Sequence, residues 1–208
     1  MQSKAKTKKV QKKQPEAPKI IYDEFAPVEE QHNIIFKPNA GPQTDFLAAS
    51  EREVLYGGSA GGGKSYAMLA DPLRFMGHPA FSGLLLRHTT EELRELIFKS
   101  QEMYPKIWPG IKWSERKMQW TAPSGARLWM SYLDKEDDVL RYQGLAFSWI
   151  GFDELTQWPS PFAWNYMRSR LRSTAKDLPV YMRATTNPGG RGHHWVKKMF
   201  IDPAAYGV

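Results

Sequence analysis

The chain lacks residues and segments that several large classes of protein require. Its 208 residues include no cysteine, which excludes disulfide bonds and cysteine-ligated zinc or iron–sulfur centres. No apolar run approaches the roughly 20 residues that cross a membrane, and the lysine-rich N-terminus has no apolar segment of a signal peptide. These absences predict a soluble intracellular protein. Because 41% of the residues are hydrophobic, the chain can bury the core of one sizeable domain.

The net positive charge is concentrated in the first 13 residues. The formal charge is +7, but residues 1–13 carry six lysines and no acid, which leaves 23 basic and 22 acidic residues in the rest of the chain. We therefore predict a basic disordered tail and linker over residues 1–33 and one folded domain over residues 34–208. The lysines could bind nucleic-acid phosphates or remain solvated, and the sequence favours neither.

Apolar segments of strand length alternate with segments of helical period in the folded region. This alternation predicts an α/β fold with a mostly parallel sheet covered on both faces. Alternating apolar residues on both sides of Pro123-Ser124-Gly125 predict a hairpin that adds antiparallel strands. The other predicted strands cover residues 53–57, 82–89, 147–154 and 179–188.

The stretch GGSAGGGKS has the spacing of a phosphate-binding loop, with four residues between Gly58 and Gly63-Lys64-Ser65. It lies between a predicted strand and a predicted helix, where backbone N–H groups can converge on phosphate oxygens. Lys64 is expected to reach the β- and γ-phosphates, and the Ser65 hydroxyl to ligate Mg²⁺. The pattern predicts a P-loop NTPase core. Its nucleotide-binding residues are Gly58, Ser59, Ala60, Gly61, Gly62, Gly63, Lys64 and Ser65.

Two acids follow an apolar strand in the segment FSWIGFDE. Asp153 and Glu154 are expected at the carboxyl edge of the sheet, where open α/β sheets bind their ligands. Asp153 is placed to hold the hydration shell of Mg²⁺, and Glu154 to polarise an attacking water as a general base. The alternative is a strand that ends in solvated acids. The loop upstream favours the catalytic role.

The last predicted strand ends with three hydrogen-bonding side chains, Thr185, Thr186 and Asn187. If this strand lies between the two that carry the loop and the acids, these side chains would face the γ-phosphate and could report its loss. The alternative is turn chemistry before Pro188, which favours asparagine by itself.

Three further polar side chains have roles that spacing alone leaves open. Arg141, 12 residues before Asp153, could stabilise charge on a transferred phosphoryl group, in its own subunit or a neighbour's, or form a surface salt bridge. Gln43, 15 residues before Gly58, could pair with an adenine edge or be a polar loop residue. Arg87 ends the second strand and could contact phosphate, DNA or a nearby acid.

In this order, the motifs resemble the ATPase domain of the large terminase subunit of tailed bacteriophages. The matching segments span about residues 40–203 and are PQTDFL, GGSAGGGKS, LLLRHT, LRYQG, WIGFDE, ATTNPGG and GHHWVKKMFID. The resemblance implies a P-loop core of the additional-strand, catalytic-glutamate class that hydrolyses ATP with Mg²⁺ and drives double-stranded DNA into a procapsid. It also implies a homo-oligomeric ring, commonly of five subunits, in the host cytoplasm and transiently at the portal vertex. Its partners would be the portal protein and the small terminase subunit.

The resemblance also assigns a role to each motif residue. These are Gln43 in the adenine motif, Lys64 and Ser65 in Walker A, Asp153 and Glu154 in Walker B, Thr185, Thr186 and Asn187 in the coupling motif, and Arg141 at the position of a trans-acting arginine finger.

Two departures from the family pattern matter. Many members carry an arginine inside the phosphate-binding loop, whereas this loop contains Ser59, Ala60 and three glycines, so the missing charge is expected from Arg141. Large terminase subunits also continue into a lid region and a metal-dependent nuclease domain. The chain ends at Val208, before the acids of such a site, so no nuclease activity is expected of it.

Two rival functions share the loop and the acids. A helicase-like or other nucleic-acid-dependent ATPase has a similar core but usually needs a second motor domain, for which 208 residues leave no room. A nucleotide-dependent DNA-binding or switch module would bind ATP without turning it over.

Overall fold

The computed structural model describes residues 34–203, and the predicted tail over residues 1–33 lies outside them. Seven strands of the described region form a sheet. Their bounds are Glu53–Gly57 (β1), Ser82–Arg87 (β2), Lys112–Ser114 (β3), Gln119–Thr121 (β4), Arg127–Tyr132 (β5), Trp149–Phe152 (β6) and Tyr181–Thr186 (β7).

The strand order β1-β7-β6-β2-β5-β4-β3 confirms the predicted mostly parallel sheet. Strands β1, β7, β6, β2 and β5 are mutually parallel, and β4 and β3 extend the sheet as antiparallel strands. Strand β7, the last in sequence, lies between β1 and β6, as the additional-strand class requires. Because parallel strands end at the same edge, the segments that follow β1, β6 and β7 meet there.

Helices cover both faces of the sheet. They are Pro42–Ala48 (α1), Lys64–Ala70 (α2), Thr90–Ile107 (α3), Phe162–Arg168 (α4) and His193–Val196 (α5), with 3-10 turns at Asp71–Phe75, Glu136–Tyr142 and Leu155–Gln157 and a π-helical turn at Lys197–Ile201. Of the helices within residues 34–203, none is long and apolar enough to cross a membrane.

Alternation along the strands divides the buried side chains between two cores. In β2, Leu85 packs with residues of α2 and α3, whereas Leu84 and Leu86 join the core that contains α4. In β6, Trp149 likewise joins the core that contains α2 and α3, whereas Phe152 joins the core that contains α4. A sheet buried on both faces requires nearly continuous apolar strands, which explains why these segments are recognisable in the sequence.

Some element boundaries differ from those that the sequence predicts. The helix predicted after the phosphate-binding loop is α-helical only to Ala70, because Pro72 has no N–H to donate and the chain continues as a 3-10 turn. The segment around Arg141 is the 3-10 turn Glu136–Tyr142 rather than an α-helix. Strand β3 is not predicted, since three residues are too few to show an alternating pattern.

Helix α3 begins with a reciprocal pair of hydrogen bonds directly after β2. The backbone N–H of Glu92 donates to Thr89 Oγ1 at 3.3 Å, and the N–H of Thr89 donates to Glu92 Oε2 at 3.4 Å. This capping box satisfies donors that the first turn of a helix leaves unpaired. It also fixes the chain just beyond Arg87, the last residue of β2.

Gly151 in β6 allows the sheet and α2 to approach closely. A Cβ atom at this position would lie 2.3 Å from Trp149 Cη2 and 2.8 Å from Met68 Sδ. We expect Gly151→Ala to lower the free energy of unfolding by about 1–3 kcal/mol, because the rigid indole cannot move without disturbing the core. Urea denaturation followed by circular dichroism measures the change. Gly57→Ala is the matched control, since nothing lies within 4 Å of a Cβ there. Equal stability of the two variants would contradict the expectation.

Candidate nucleotide-binding and catalytic site

The phosphate-binding loop joins β1 to α2, as its spacing predicts. The backbone N–H of Gly58 donates to Thr186 O at 3.2 Å, and Tyr56 Oη donates to Gly62 O at 2.6 Å. Gly63, the last residue before α2, has a φ of 73°, a left-handed conformation that glycine adopts at little cost. Residues at the ends of β1 and β7 therefore hold the loop at the carboxyl edge of the sheet.

Lys64 is the first residue of α2, directly after the loop, and is only 7% exposed. Its Nζ donates to the carbonyl oxygens of Ser59 at 2.7 Å and Gly58 at 3.1 Å. These contacts place the ammonium group where phosphate oxygens could replace the carbonyl oxygens. Ser65, the next residue of α2, is half-buried.

Gln43 on α1 contacts the same loop at its last glycine, Gly63. Its Nε2 donates to Gly63 O at 2.8 Å, and its Oε1 accepts from the backbone N–H of Asn39 at 2.6 Å. The side chain is buried, so both ends of the amide are engaged with backbone groups. An adenine contact by Gln43 stays a prediction. The contact with the loop is a role that the spacing of Gln43 does not reveal.

A cavity of about 460 Å³ adjoins the loop. Its lining includes Gly58 of the loop, Asn187 after β7, and Val196 and Ile201 of the C-terminal helical turns. This volume falls in the range of small-molecule sites, so a nucleotide sugar or base has room beside the phosphate-binding residues.

Asp153 directly follows β6 and is almost fully buried. Thr185 Oγ1 donates to its Oδ1, and Arg87 Nη1 lies 3.2 Å from its Oδ2. Burial raises the pKa of this carboxyl, and the charge of Arg87 and the hydrogen bond from Thr185 oppose that shift. Of the three partners that spacing leaves open for Arg87, the structure shows the acid.

The donor set around Asp153 fits a hydrated Mg²⁺ ion. Its buried Oδ2 has no hydrogen-bond donor within residues 34–203, since the guanidinium of Arg87 is near but not aligned. An oxygen with spare lone pairs at this depth is suited to the hydration shell of a hard cation. Ser65 at the start of α2 is the second candidate ligand.

Glu154 adopts an uncommon backbone conformation, with φ 58° and ψ 56°. Its N–H donates to Thr185 Oγ1 at 3.2 Å. Its carboxylate accepts two hydrogen bonds from Asn187, from the backbone N–H at 3.0 Å and from Nδ2 at 2.9 Å. Residues held in the left-handed region are uncommon and cluster at functional sites, where surrounding contacts fix them. Here the residues after β7 hold Glu154 directly.

Thr156 is a candidate site residue that no motif of the sequence reveals. Its Oγ1 lies 2.7 Å from Thr186 Oγ1, and both hydroxyls are buried. Gly190 packs against it so closely that a Cβ on Gly190 would lie 2.8 Å from Thr156 O. The position two residues after Glu154 is the only signal the sequence offers. Through Thr156, the end of β7 is joined to the 3-10 turn that follows the acids.

Arg141 is exposed and lies apart from these residues. Its Nη2 donates to Tyr132 O, and its guanidinium stacks over the rings of Tyr132 and Tyr142 at 5.6 and 5.5 Å. It follows β5, which is separated from β1 by β7, β6 and β2. At about 4.8 Å per strand, the end of β5 lies roughly 19 Å from the end of β1 along the sheet.

Gly63→Ala tests how far nucleotide binding depends on the loop conformation. An alanine would be strained at φ 73°, and its Cβ would lie 2.5 Å from Gln43 Nε2. We expect ATP affinity to fall about tenfold, from a conformational cost of about 1–2 kcal/mol. Titration with a fluorescent ATP analogue measures it. Gly57→Ala, just before the loop, is the control, because nothing lies within 4 Å of a Cβ there. Equal affinities of the two variants would refute the expected role of Gly63.

Solved structures of large terminases share this fold. The ATPase domain of the large terminase of Thermus phage P74-26 has a TM-score of 0.62 and 14% identity, covering 88% of this chain and 76% of that one. The large terminase of another thermophilic bacteriophage has a TM-score of 0.62 and 19% identity, over 80% of this chain and 43% of that one. The bacteriophage HK97 large terminase has a TM-score of 0.57 and 15% identity, over 85% of this chain and 39% of that one. The chain thus spans less than half the length of the last two subunits.

Sequence comparison identifies a family. No curated protein sequence matches the chain. The family model described as terminase large subunit, T4likevirus-type, N-terminal matches residues 55–205, which is most of the chain. This span contains the loop over residues 58–65, the acids Asp153 and Glu154, and residues 185–187. The chain therefore belongs to the T4likevirus-type family of large terminase subunits, whose N-terminal region it contains.

Proposed function

We propose that this domain binds ATP with Mg²⁺, hydrolyses it, and uses the hydrolysis to drive double-stranded DNA into a procapsid. One observation carries the proposal. The phosphate-binding loop, the acids after β6 and the residues after β7 meet at one edge of the sheet and are joined by hydrogen bonds. Family membership supports DNA packaging as the work that hydrolysis performs. A large terminase from a thermophilic bacteriophage, solved in complex with ADP, supports a nucleotide as the ligand.

The loop and α2 would bind the triphosphate. Backbone N–H groups of the loop would meet phosphate oxygens, and Lys64 would exchange its two carbonyl partners for the β- and γ-phosphates. Ser65 and Asp153 would hold the Mg²⁺ ion. When bound, Mg²⁺ would offset negative charge on the phosphates.

Glu154 would polarise the attacking water. Each of its carboxylate oxygens accepts one hydrogen bond from Asn187 and retains acceptor capacity for a further donor. Asn187 therefore sets the orientation of the Glu154 carboxylate. The remaining lone pairs of that carboxylate could accept a hydrogen bond from the attacking water. Movement of the chain after β7 would change how readily the Glu154 carboxylate accepts a hydrogen bond from the attacking water.

Strand β7 would couple the nucleotide to the rest of the motor. Thr185 contacts both Walker B acids, Thr186 contacts Thr156, and the carbonyl of Thr186 accepts from the loop at Gly58. Loss of the γ-phosphate would disturb contacts at the end of this one strand. The strand would transmit the change through its register with β1 and β6.

Arg141 would act on the nucleotide of a neighbouring subunit. Its exposure and its place beyond three intervening strands support action in trans. A ring of subunits, commonly five in this family, would bring Arg141 to the neighbour's loop, which contains no arginine of its own. We further propose the portal protein and the small terminase subunit as partners, in the host cytoplasm and at the portal vertex.

A helicase-like ATPase remains the competing function. Double-stranded DNA should stimulate ATP hydrolysis by a packaging motor without separating the strands. Steady-state ATPase with duplex DNA, together with a forked-DNA unwinding assay, distinguishes the two. Strand separation would favour the helicase-like alternative.

Glu154→Gln is the direct test of hydrolysis. We expect steady-state ATP turnover to fall about 10²–10⁴-fold with ATP binding retained, because the amide preserves shape but cannot act as a base. Phosphate release and analogue binding measure the two effects. Glu102→Gln, at an exposed position of α3, is the control. A wild type that binds ATP and never hydrolyses it would instead favour a nucleotide-dependent switch.

Mixing two inactive variants tests whether Arg141 acts in trans. We expect Arg141→Ala and Glu154→Gln subunits each to lack ATPase activity and their mixture to recover part of it, because an intact Arg141 can then serve a neighbour's intact Glu154. ATPase activity across mixing ratios measures the recovery. Arg172→Ala, another exposed arginine, should keep normal activity alone. No recovery in assembled mixtures would count against action in trans.

A further inference from the structure

The guanidinium group of Arg87 lies beside Oδ2 of Asp153. Arg87 ends β2, Asp153 follows β6, and the two strands are neighbours with Leu86 paired to Phe152. Arg87 Nη1 is 3.2 Å from Asp153 Oδ2, and the side chains are 11% and 1% exposed. Water screens charges at this depth poorly, so each charge strongly affects what else can bind.

This ion pair depends on charge rather than on an aligned hydrogen bond. In the described part of the chain, Arg87 Nε and Nη1 and Asp153 Oδ2 have no hydrogen-bond partner. Separating the two groups would therefore break no hydrogen bond between them. The pair can open when a stronger ligand arrives at Oδ2.

The charge of Arg87 also acts on Glu92, at the start of α3. Burial raises the pKa of Glu92, but the hydrogen bond from Gln157 and the positive charge of Arg87 hold it below its ordinary value. Glu92 is anchored by the capping box at the start of α3. The positive charge of Arg87 thus acts on two carboxylates, Asp153 and Glu92.

Asp153 has little capacity to bind a metal ion alone. Across residues 34–203, no group of three or more histidine or acidic side chains could hold a metal ion. A free divalent cation approaching Asp153 Oδ2 would also meet the positive charge of Arg87. A cation that arrives with a triphosphate brings excess negative charge, which offsets this repulsion.

We propose that Arg87 is a positioning residue that occupies the open side of Asp153 in the nucleotide-free protein and keeps free metal ions off this carboxylate. The metal then enters only as a metal–nucleotide complex, and Arg87 gives way at Oδ2. The inference rests on the proposed function in one respect, that Asp153 contacts the metal.

Titration with Mn²⁺ in the absence of nucleotide, followed by electron paramagnetic resonance, tests the proposal. Neutral Arg87→Gln is expected to bind Mn²⁺ at least about tenfold tighter than wild type, since the repelling charge is gone. Arg87→Lys keeps the charge and should bind as weakly as wild type. Arg94→Gln removes an exposed arginine of α3 and is the matched control. The gain should vanish when Arg87→Gln is combined with Asp153→Asn.

Equal or weaker Mn²⁺ binding by Arg87→Gln overturns the proposal, and so does a gain that persists with Asp153→Asn. Arg87→Met is a second neutral variant. If neither neutral variant folds while Asp153→Asn does, as judged by circular dichroism, Arg87 is a structural residue and the proposal also fails. ATP hydrolysis is not the readout. A wild type that never hydrolyses ATP would therefore refute the proposed function and leave this test intact.

Discussion

The pairing of β7 between β1 and β6 is the constraint on which the site depends. All six residues of β7 are buried, and its ladders place Thr185 opposite Tyr56 and Ala184 opposite Phe152. This register brings the end of β7 level with the phosphate-binding loop and the Walker B acids. A slip of one residue would turn every side chain of the strand to the opposite face, and Thr185 would lose Asp153. Burial on both faces makes such a slip costly, because polar and apolar side chains would exchange places.

The polar groups of the site are positioned by one another. Thr185 donates to one Walker B acid and accepts from the backbone of the other, and Asn187 holds both oxygens of Glu154. In a buried site, such a network is rigid only while its members remain paired. A ligand that replaces one partner therefore affects the whole edge of the sheet, which is the property that a motor needs at its nucleotide site.

Positive charge is distributed unevenly around this edge. Lys64, the first residue of α2, donates to two carbonyl oxygens of the loop, and Arg87 is buried against Asp153, so these two cations are already engaged within the chain. Arg141 is exposed, and its partners are a carbonyl and two tyrosine rings rather than an acid. Within residues 34–203, no carboxylate pairs with this guanidinium, so it is available to an anion from outside. This difference underlies the separate roles that we propose for Arg87 and Arg141.

The sequence alone determined the local features of this protein: the loop spacing, the buried strands and the acids that follow β6. Such features depend on residues close together in the chain, so glycine placement, apolar runs and strand ends reveal them. The tertiary structure decided the contacts between distant segments, namely Gln43 with the loop, Arg87 with Asp153, and Asn187 with Glu154. No local pattern specifies these pairs, because they depend on which strands become neighbours. The sheet order places β7 and β2 on either side of β6. Because of this order, Arg87 at the end of β2 contacts Asp153, one of the three kinds of partner that the sequence left open.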